Sequence, residues 1–334
     1  MTGGIIFVSG ISGTNIERFL DKVFKKSLLH GDNLVRHDIG ELMYNKASSE
    51  HPDMKWEHML DMNSVALNFL RSGTFDQTMN RVLAEPDKIH IIDMHLCFRW
   101  KNHLTSGFSP QIIKPFIPFV RFFVNLVEDV HTVQNTLKKT EWEKTELPEL
   151  LIWKDEEFFL SEIFANICDV PVYQLSVKEP FELLWNIIMK PEMKKAYLSF
   201  PITKIRKDKE LLQEIDTFRD EVREFLVAFN PFSSKEYDET YKNKAMKLLK
   251  IPIGEATKRR DFRLIDQSDG IIVYYPKKVY SKGVDAEMAY AHSTRKPIFL
   301  YCPEEIDTGP FLAPIKFMSQ DRDEFINHLK NSFH

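Results

Sequence analysis

The chain has 334 residues, is 43% hydrophobic and 28% charged, and carries a formal net charge of −4. That length accommodates two well-packed domains, and interspersed charges of both signs give no whole-chain argument for a nucleic acid or an anionic membrane as partner. Cys97, Cys168 and Cys302 lie far apart without metal or CxxC spacing, so buried, reduced thiols are expected, with no metal site.

Gly4 to Val8 is too short an apolar stretch for a signal peptide, and no run approaches the roughly 20 residues of a membrane span. The expected compartment is the cytoplasm. Gly4 to Ser9 reads as a short buried strand. Asn15 to Leu29 carries Ile16, Phe19, Leu20, Val23 and Phe24 at helical spacing. His90 to Asp93 and Phe123 to Val127 are further strands, Glu156 to Ile167 a helix, Val170 to Leu175 a strand and Phe181 to Met189 a helix. Alternating β and α pieces predict a mainly parallel sheet with helices on both faces.

The polar segment Lys190 to Lys195 contains Pro191, so the expected domains are 1–190 and 191–334. A second α/β series opens at Ala196 to Phe200. Leu211, Leu212, Ile215, Phe218, Val222, Phe225, Leu226 and Phe229 form one apolar stripe, which predicts a single long helix. Lys258 to Ile265 reads as a helix, Gly270 to Tyr275 as a strand, Gly283 to Thr294 as a helix, Pro297 to Tyr301 as a strand and Asp321 to Phe333 as a closing helix. The mostly polar stretch from Asn230 to Lys247 is a candidate lid-like loop. The expected fold class is α/β, two doubly wound domains in succession.

Gly10-Ile-Ser-Gly-Thr-Asn-Ile-Glu17 sits between a strand and a helix, the setting of a phosphate-binding loop. Such a loop needs Gly, Lys and Ser/Thr at its end for phosphate and magnesium. Here those positions are Asn15, Ile16 and Glu17. Together with His37-Asp-Ile-Gly40 and Ile92-Asp-Met-His95, this half resembles adenylate-kinase-like P-loop kinases in a degenerate form. The resemblance implies a P-loop kinase-like fold over about residues 1–190, with Gly10, Gly13 and Thr14 as the residues that would contact a nucleotide. The missing lysine argues against phosphoryl transfer and leaves a packing, dimerisation or nucleotide-sensing role. The region Glu128 to Lys139, where these kinases carry lid arginines, has only two lysines at its end.

The richest local pattern is Ser281-Lys-Gly-Val-Asp-Ala-Glu287, which follows the strand at Gly270. It places a carboxylate in the first turns of a helix at the C-terminal end of a strand, where open α/β sheets bind ligands. Tyr197-Leu-Ser-Phe-Pro-Ile202, Asp261, Asp269 and the continuation Met288-Ala-Tyr-Ala291 complete a resemblance to the nucleoside 2-deoxyribosyltransferase superfamily, which includes the 2′-deoxynucleoside 5′-phosphate N-hydrolases. It implies a flavodoxin-like (Rossmann-like) domain that cleaves an N-glycosidic bond by hydrolysis or base transfer. By that likeness Glu287 is the nucleophile on C1′, Asp261 the acid near base and sugar, and Tyr197 the residue that orients Glu287. Ser281 stands where transferases acting on free nucleosides tend to have an aspartate, which implies a 5′-phosphate contact.

Gly283, Phe200, Thr203, Arg206 and Asp269 complete the expected substrate contacts, although Asp269 also fits a turn at the start of a strand. Phe200 and Pro201 depart from the glycine-rich first loop of the hydrolases, with Thr203, Lys204 or Arg206 as compensating groups. No cofactor is expected. The expected partner is a nucleotide or nucleoside, with no nucleic acid and no membrane, in a homo-oligomer. The alternatives are an NAD(P) glycohydrolase, a nucleotide kinase and a non-enzymatic nucleotide sensor.

Overall fold

The computed structural model describes residues 3–31, 33–101, 103–108, 110–205, 207–231, 250–277, 279, 281–304 and 314–333. The chain divides into two compact units, Met1–Phe181 and Glu182–His334. The division falls ahead of the proline-containing segment, because the helix Glu182–Met189 packs on the strand Val227–Phe229 of the second unit.

The first unit runs β1 (Gly4–Ser9), α1 (Ile16–His30), β2 (Leu34–Asp38), α2 (Ile39–Glu50), α3 (Ser64–Ala84) and β3 (Ile89–Asp93). A hairpin follows, β4 (Cys97–Trp100) and β5 (His103–Ser106). Then come α4 (Pro110–Ile113), β6 (Val120–Val127), α5 (Val130–Leu137), α6 (Leu147–Cys168) and β7 (Val172–Ser176). Its main sheet is parallel, in the order β2-β3-β1-β6-β7. Ile5, Ile6, Phe7 and Val8 of β1 are all buried, which a parallel sheet covered on both faces requires. On one side Phe7 stacks on Phe123 at 5.0 Å and meets Phe116 edge-on at 6.1 Å.

The second unit runs α7 (Glu182–Met189), β8 (Lys195–Ser199), α8 (Ile202–Ile205), α9 (Lys209–Arg223), β9 (Val227–Phe229) and α10 (Lys250–Asp266). It continues with β10 (Gly270–Tyr274), α11 (Lys282–Ser293), β11 (Ile298–Tyr301), β12 (Phe317–Ser319) and α12 (Arg322–Ser332). The parallel sheet has the order β12-β11-β10-β8-β9. Its core is aromatic: Phe218 of α9 packs on Tyr274 at 4.8 Å and on Tyr301 at 5.6 Å, and Phe325 of α12 closes the cluster. Both units are therefore α/β with parallel sheets.

The apolar stripe from Leu211 to Phe229 is not one helix. Asp208 caps the start of α9 by accepting from the Leu211 amide, and α9 ends at Arg223. Val227, Ala228 and Phe229 then pair with Lys195, Ala196 and Tyr197 as the edge strand β9. A buried strand and a buried helix both read as apolar runs, so periodicity alone joined them.

The strand order also fixes where the second unit binds. The chain leaves β8 for β9 on one side of the sheet, and leaves β10 for β11 on the other. Neighbouring strands whose connections diverge open a crevice at their carboxyl ends, the usual ligand position in such sheets. That crevice lies between the ends of β8 and β10.

Candidate active site

Three elements meet at this crevice. Ser199 is the last residue of β8 and is fully buried. Glu287 comes from the second turn of α11, whose first residues follow the loop after β10. Asp261 comes from α10, which packs against both α11 and β8. Ser281 starts α11 as its N-cap, with its hydroxyl facing the Val284 amide at 3.5 Å. That cap holds the helix in register, so Glu287 is aimed back over the strand ends.

The Ser199 hydroxyl donates a short hydrogen bond to Glu287 Oε2. Tyr197 is two residues earlier on the same strand, so its side chain shares the face of Ser199. Its buried hydroxyl lies close enough to Glu287 to help stabilise the carboxylate as a donor, yet it falls short of full hydrogen-bond geometry with any partner. Burial pushes the Tyr197 pKa well up, and the charges of Asp261 and Glu287 push it further, so it stays a neutral phenol.

Asp261 and Glu287 perturb each other. Burial raises the Glu287 pKa most, followed by the negative charge of Asp261; donation from Ser199 and Tyr197 and the nearby Arg260 only partly offset this. Burial also raises Asp261, against the pull of Arg260, whose guanidinium contacts its Oδ1 at 2.7 Å. Two carboxyls desolvated in one crevice cannot both ionise freely, so they share a proton near neutrality. With Arg260 neutralising Asp261, the resting proton sits on Glu287.

The other expected residues distribute unevenly. Gly283 is exposed in the first turn of α11. Phe200 is buried in the aromatic core, edge-on to Tyr274 at 6.4 Å. Thr203 falls within α8, and its side chain lies outside the described residues, as does Arg206. The lid-like loop is described only at Asn230 and Pro231. Asp269 is a correction. Its carboxylate accepts from the Lys195 amide at 2.8 Å and its own amide donates to the Lys195 carbonyl at 2.7 Å. Lys195 begins β8 and Ser199 ends it, so Asp269 stands at the opposite end of the sheet from Glu287. It sets strand register. Ser199 is the residue that sequence reasoning passed over, although a serine closing a buried strand two residues after Tyr197 was a readable signal.

In the first unit, the Gly10–Thr14 loop does follow β1 and precede α1. Gly10 abuts the Leu126 carbonyl so closely that a Cβ would sit 2.6 Å from it. Gly13 has φ of +86° and packs beneath Leu137 and Val133 of α5, so the lid region lies over the loop as an apolar helix. Asn15 donates to the buried Glu128, and Glu17 stands in the first turn of α1. Glycine serves backbone shape here, and the carboxylates Glu128 and Glu17 stand at the end of the loop.

No protein-family model matches the chain, and no curated protein matches it either. What the chain presents is two parallel α/β units, the second Rossmann-like with a paired-carboxylate crevice at its switch point. Among the described residues, no helix is long and apolar enough to cross a membrane.

Proposed function

We propose that the second unit cleaves the N-glycosidic bond of a nucleotide, with Glu287 as nucleophile and water or a second base as acceptor. The observation that carries this reading is the coupled pair Glu287–Asp261, with Ser199 and Tyr197 behind Glu287, at the carboxyl ends of β8 and β10. Before attack the shared proton passes to Asp261. A Glu287 oxygen then bonds to C1′ as the C1′–N bond breaks. That bond's electron pair goes to the base nitrogen, which takes the proton from Asp261. Water, deprotonated by Asp261, attacks C1′ in the second half and frees Glu287. One carboxyl ionised and one protonated is the distribution this chemistry uses; burial raises both, and Arg260 beside Asp261 is what makes them unequal.

The Ser281 hydroxyl and the first amides of α11 are suited to a 5′-phosphate, because helix N-termini hold anions. The reading includes a cytoplasmic setting and a homo-oligomer, to be checked by fractionation and light scattering. The test is incubation with nucleosides, nucleoside 5′-monophosphates and NAD, followed by chromatography for free base. Wild type releases base from a monophosphate, and Glu287→Gln lowers the rate by about 10²-fold or more, a few kcal/mol of barrier. Equal release by a folded Glu287→Gln protein sinks the assignment.

A further inference from the structure

The first unit holds a cleft of about 360 Å³ that the proposed chemistry does not use. That size suits a small organic ligand. One wall carries Arg71, from the middle of α3. Its side chain is 5% exposed. Among the described residues it forms no ion pair, and its one hydrogen bond is a 3.5 Å contact to Asn68 on its own helix. Burial lowers its pKa to about 10, and among the described residues no carboxylate offsets the shift. A guanidinium taken out of water without a counter-charge is costly, and proteins tolerate it where an anion will arrive.

Elsewhere on the lining the imbalance is reversed. Glu17, Asp38 and Asp93 stand there with Arg36 as the cation among them, 2.7 Å from Asp93 and 3.5 Å from Asp38, and none of these carboxylates bears on the Arg71 pKa. Burial and the charges of Asp38 and Glu17 hold Asp93 up at about 6 despite Arg36. Thr14, also on the lining, buries a hydroxyl that has no hydrogen-bond partner among the described residues. Met43, Met59, Trp56 and Trp142 give the lining an apolar and aromatic surface as well.

We infer that this cleft binds a small dipolar molecule: an anionic group on Arg71, an amine or other donor toward Glu17, Asp38 and Asp93, and a flat apolar middle against the tryptophans. The charge layout sets the orientation. An anion at the Gly10–Thr14 end would face three carboxylates, while at Arg71 it meets an uncompensated cation.

The test uses the full chain and three probes: tyramine O-phosphate, which has both ends and a ring; phenyl phosphate, which lacks the amine; and tyramine, which lacks the anion. None has an N-glycosidic bond, so the proposed chemistry of the second unit does not act on them. Tryptophan fluorescence and thermal shift are the readouts, since Trp56 and Trp142 line the cleft. Tyramine O-phosphate binds wild type, and the other two bind at least 10-fold more weakly. Arg71→Met brings tyramine O-phosphate to within threefold of tyramine, and the unliganded variant melts no lower than wild type, because an unpaired buried charge has gone. Arg71→Lys, which keeps the charge and loses the planar fork, weakens binding by about 5- to 10-fold. No response to any probe at 10 mM overturns the inference. So does equal affinity for tyramine O-phosphate and phenyl phosphate, or wild-type affinity in the Arg71 variant that folds. A lower melting point for unliganded Arg71→Met makes the arginine structural and also contradicts it.

Discussion

The two units use the same architecture and spend their strand ends differently. In the first, Asp38 and Asp93 end β2 and β3 and are drawn onto Arg36, while glycines fold the loop after β1 tightly beneath α5. In the second, Glu287 and Asp261 share one crevice, where Arg260 reaches Asp261 and Ser199 donates to Glu287. Carboxyls left to compete for a proton are poised for acid–base and nucleophilic work. A parallel sheet supplies the position in both cases; the charge balance at the strand ends decides what the position can do.

The contrast can be broken or sharpened by substitution. After the loss expected at Glu287, the largest effect falls on Ser281. At about 1.5–3 kcal/mol for a charge-assisted hydrogen bond, Ser281→Ala lowers kcat/KM for a 5′-monophosphate by roughly 10- to 150-fold. Ser281 also caps α11, so the decisive quantity is the ratio of kcat/KM for the monophosphate over the nucleoside, which cancels a cap effect common to both. An unchanged ratio in Ser281→Ala removes the phosphate from the reading.

Ser199→Ala comes next. The hydroxyl lowers the Glu287 pKa by donating to the carboxylate, so its loss raises that pKa further. The productive pair holds one proton, so activity falls as pH rises through the raised Glu287 pKa and that proton is lost. In Ser199→Ala the alkaline limb of the kcat/KM profile moves to higher pH, and the plateau falls by about 10-fold for one lost donor. A profile that keeps its wild-type limb shows that Ser199 does not act through Glu287.

The smallest effect concerns stability. A carboxyl whose folded pKa is raised contributes stability at pH values below its unfolded pKa, and that stability is lost as pH rises through the folded value. Wild type thus carries an increasing penalty at Glu287 between the ordinary carboxylate range and the raised one. Glu287→Gln should melt higher than wild type above neutral pH, by roughly 2–4 °C if about 1 kcal/mol is relieved in a unit of this size. The gap closes toward pH 4. A constant gap across that window contradicts the raised pKa.

Much of this was readable from residues, for identifiable reasons. Glu287 sits in a locally complete pattern, a helix start after a buried strand, while Ser281 and Asp261 stood out through the resemblance to the deoxyribosyltransferase superfamily. Asp269 misled because an aspartate before a strand and an aspartate after one look alike in sequence, while in a parallel sheet they stand at opposite ends. Helix α3 escaped notice because its buried face carries Arg71, Thr74 and Thr78. The two threonine hydroxyls donate to carbonyls one turn back, at 2.9 and 3.0 Å, so polar residues sit among the buried Leu67, Leu70, Phe75, Met79 and Val82 while the apolar Val65, Phe69 and Leu83 stay exposed, and the stripe is blurred in sequence. The unpaired state of Arg71 was not legible at all, since it depends on which carboxylates the fold leaves out of reach.

The central claim is that Glu287 forms a bond to the sugar. The most direct measurement is acid quenching of the wild-type protein during turnover of a nucleoside 5′-monophosphate, followed by mass spectrometry of its peptides. The account predicts a sugar-phosphate mass increment on the peptide containing Glu287, absent from Glu287→Gln. Base release in wild type with no adduct there, or an adduct on another residue, would contradict it.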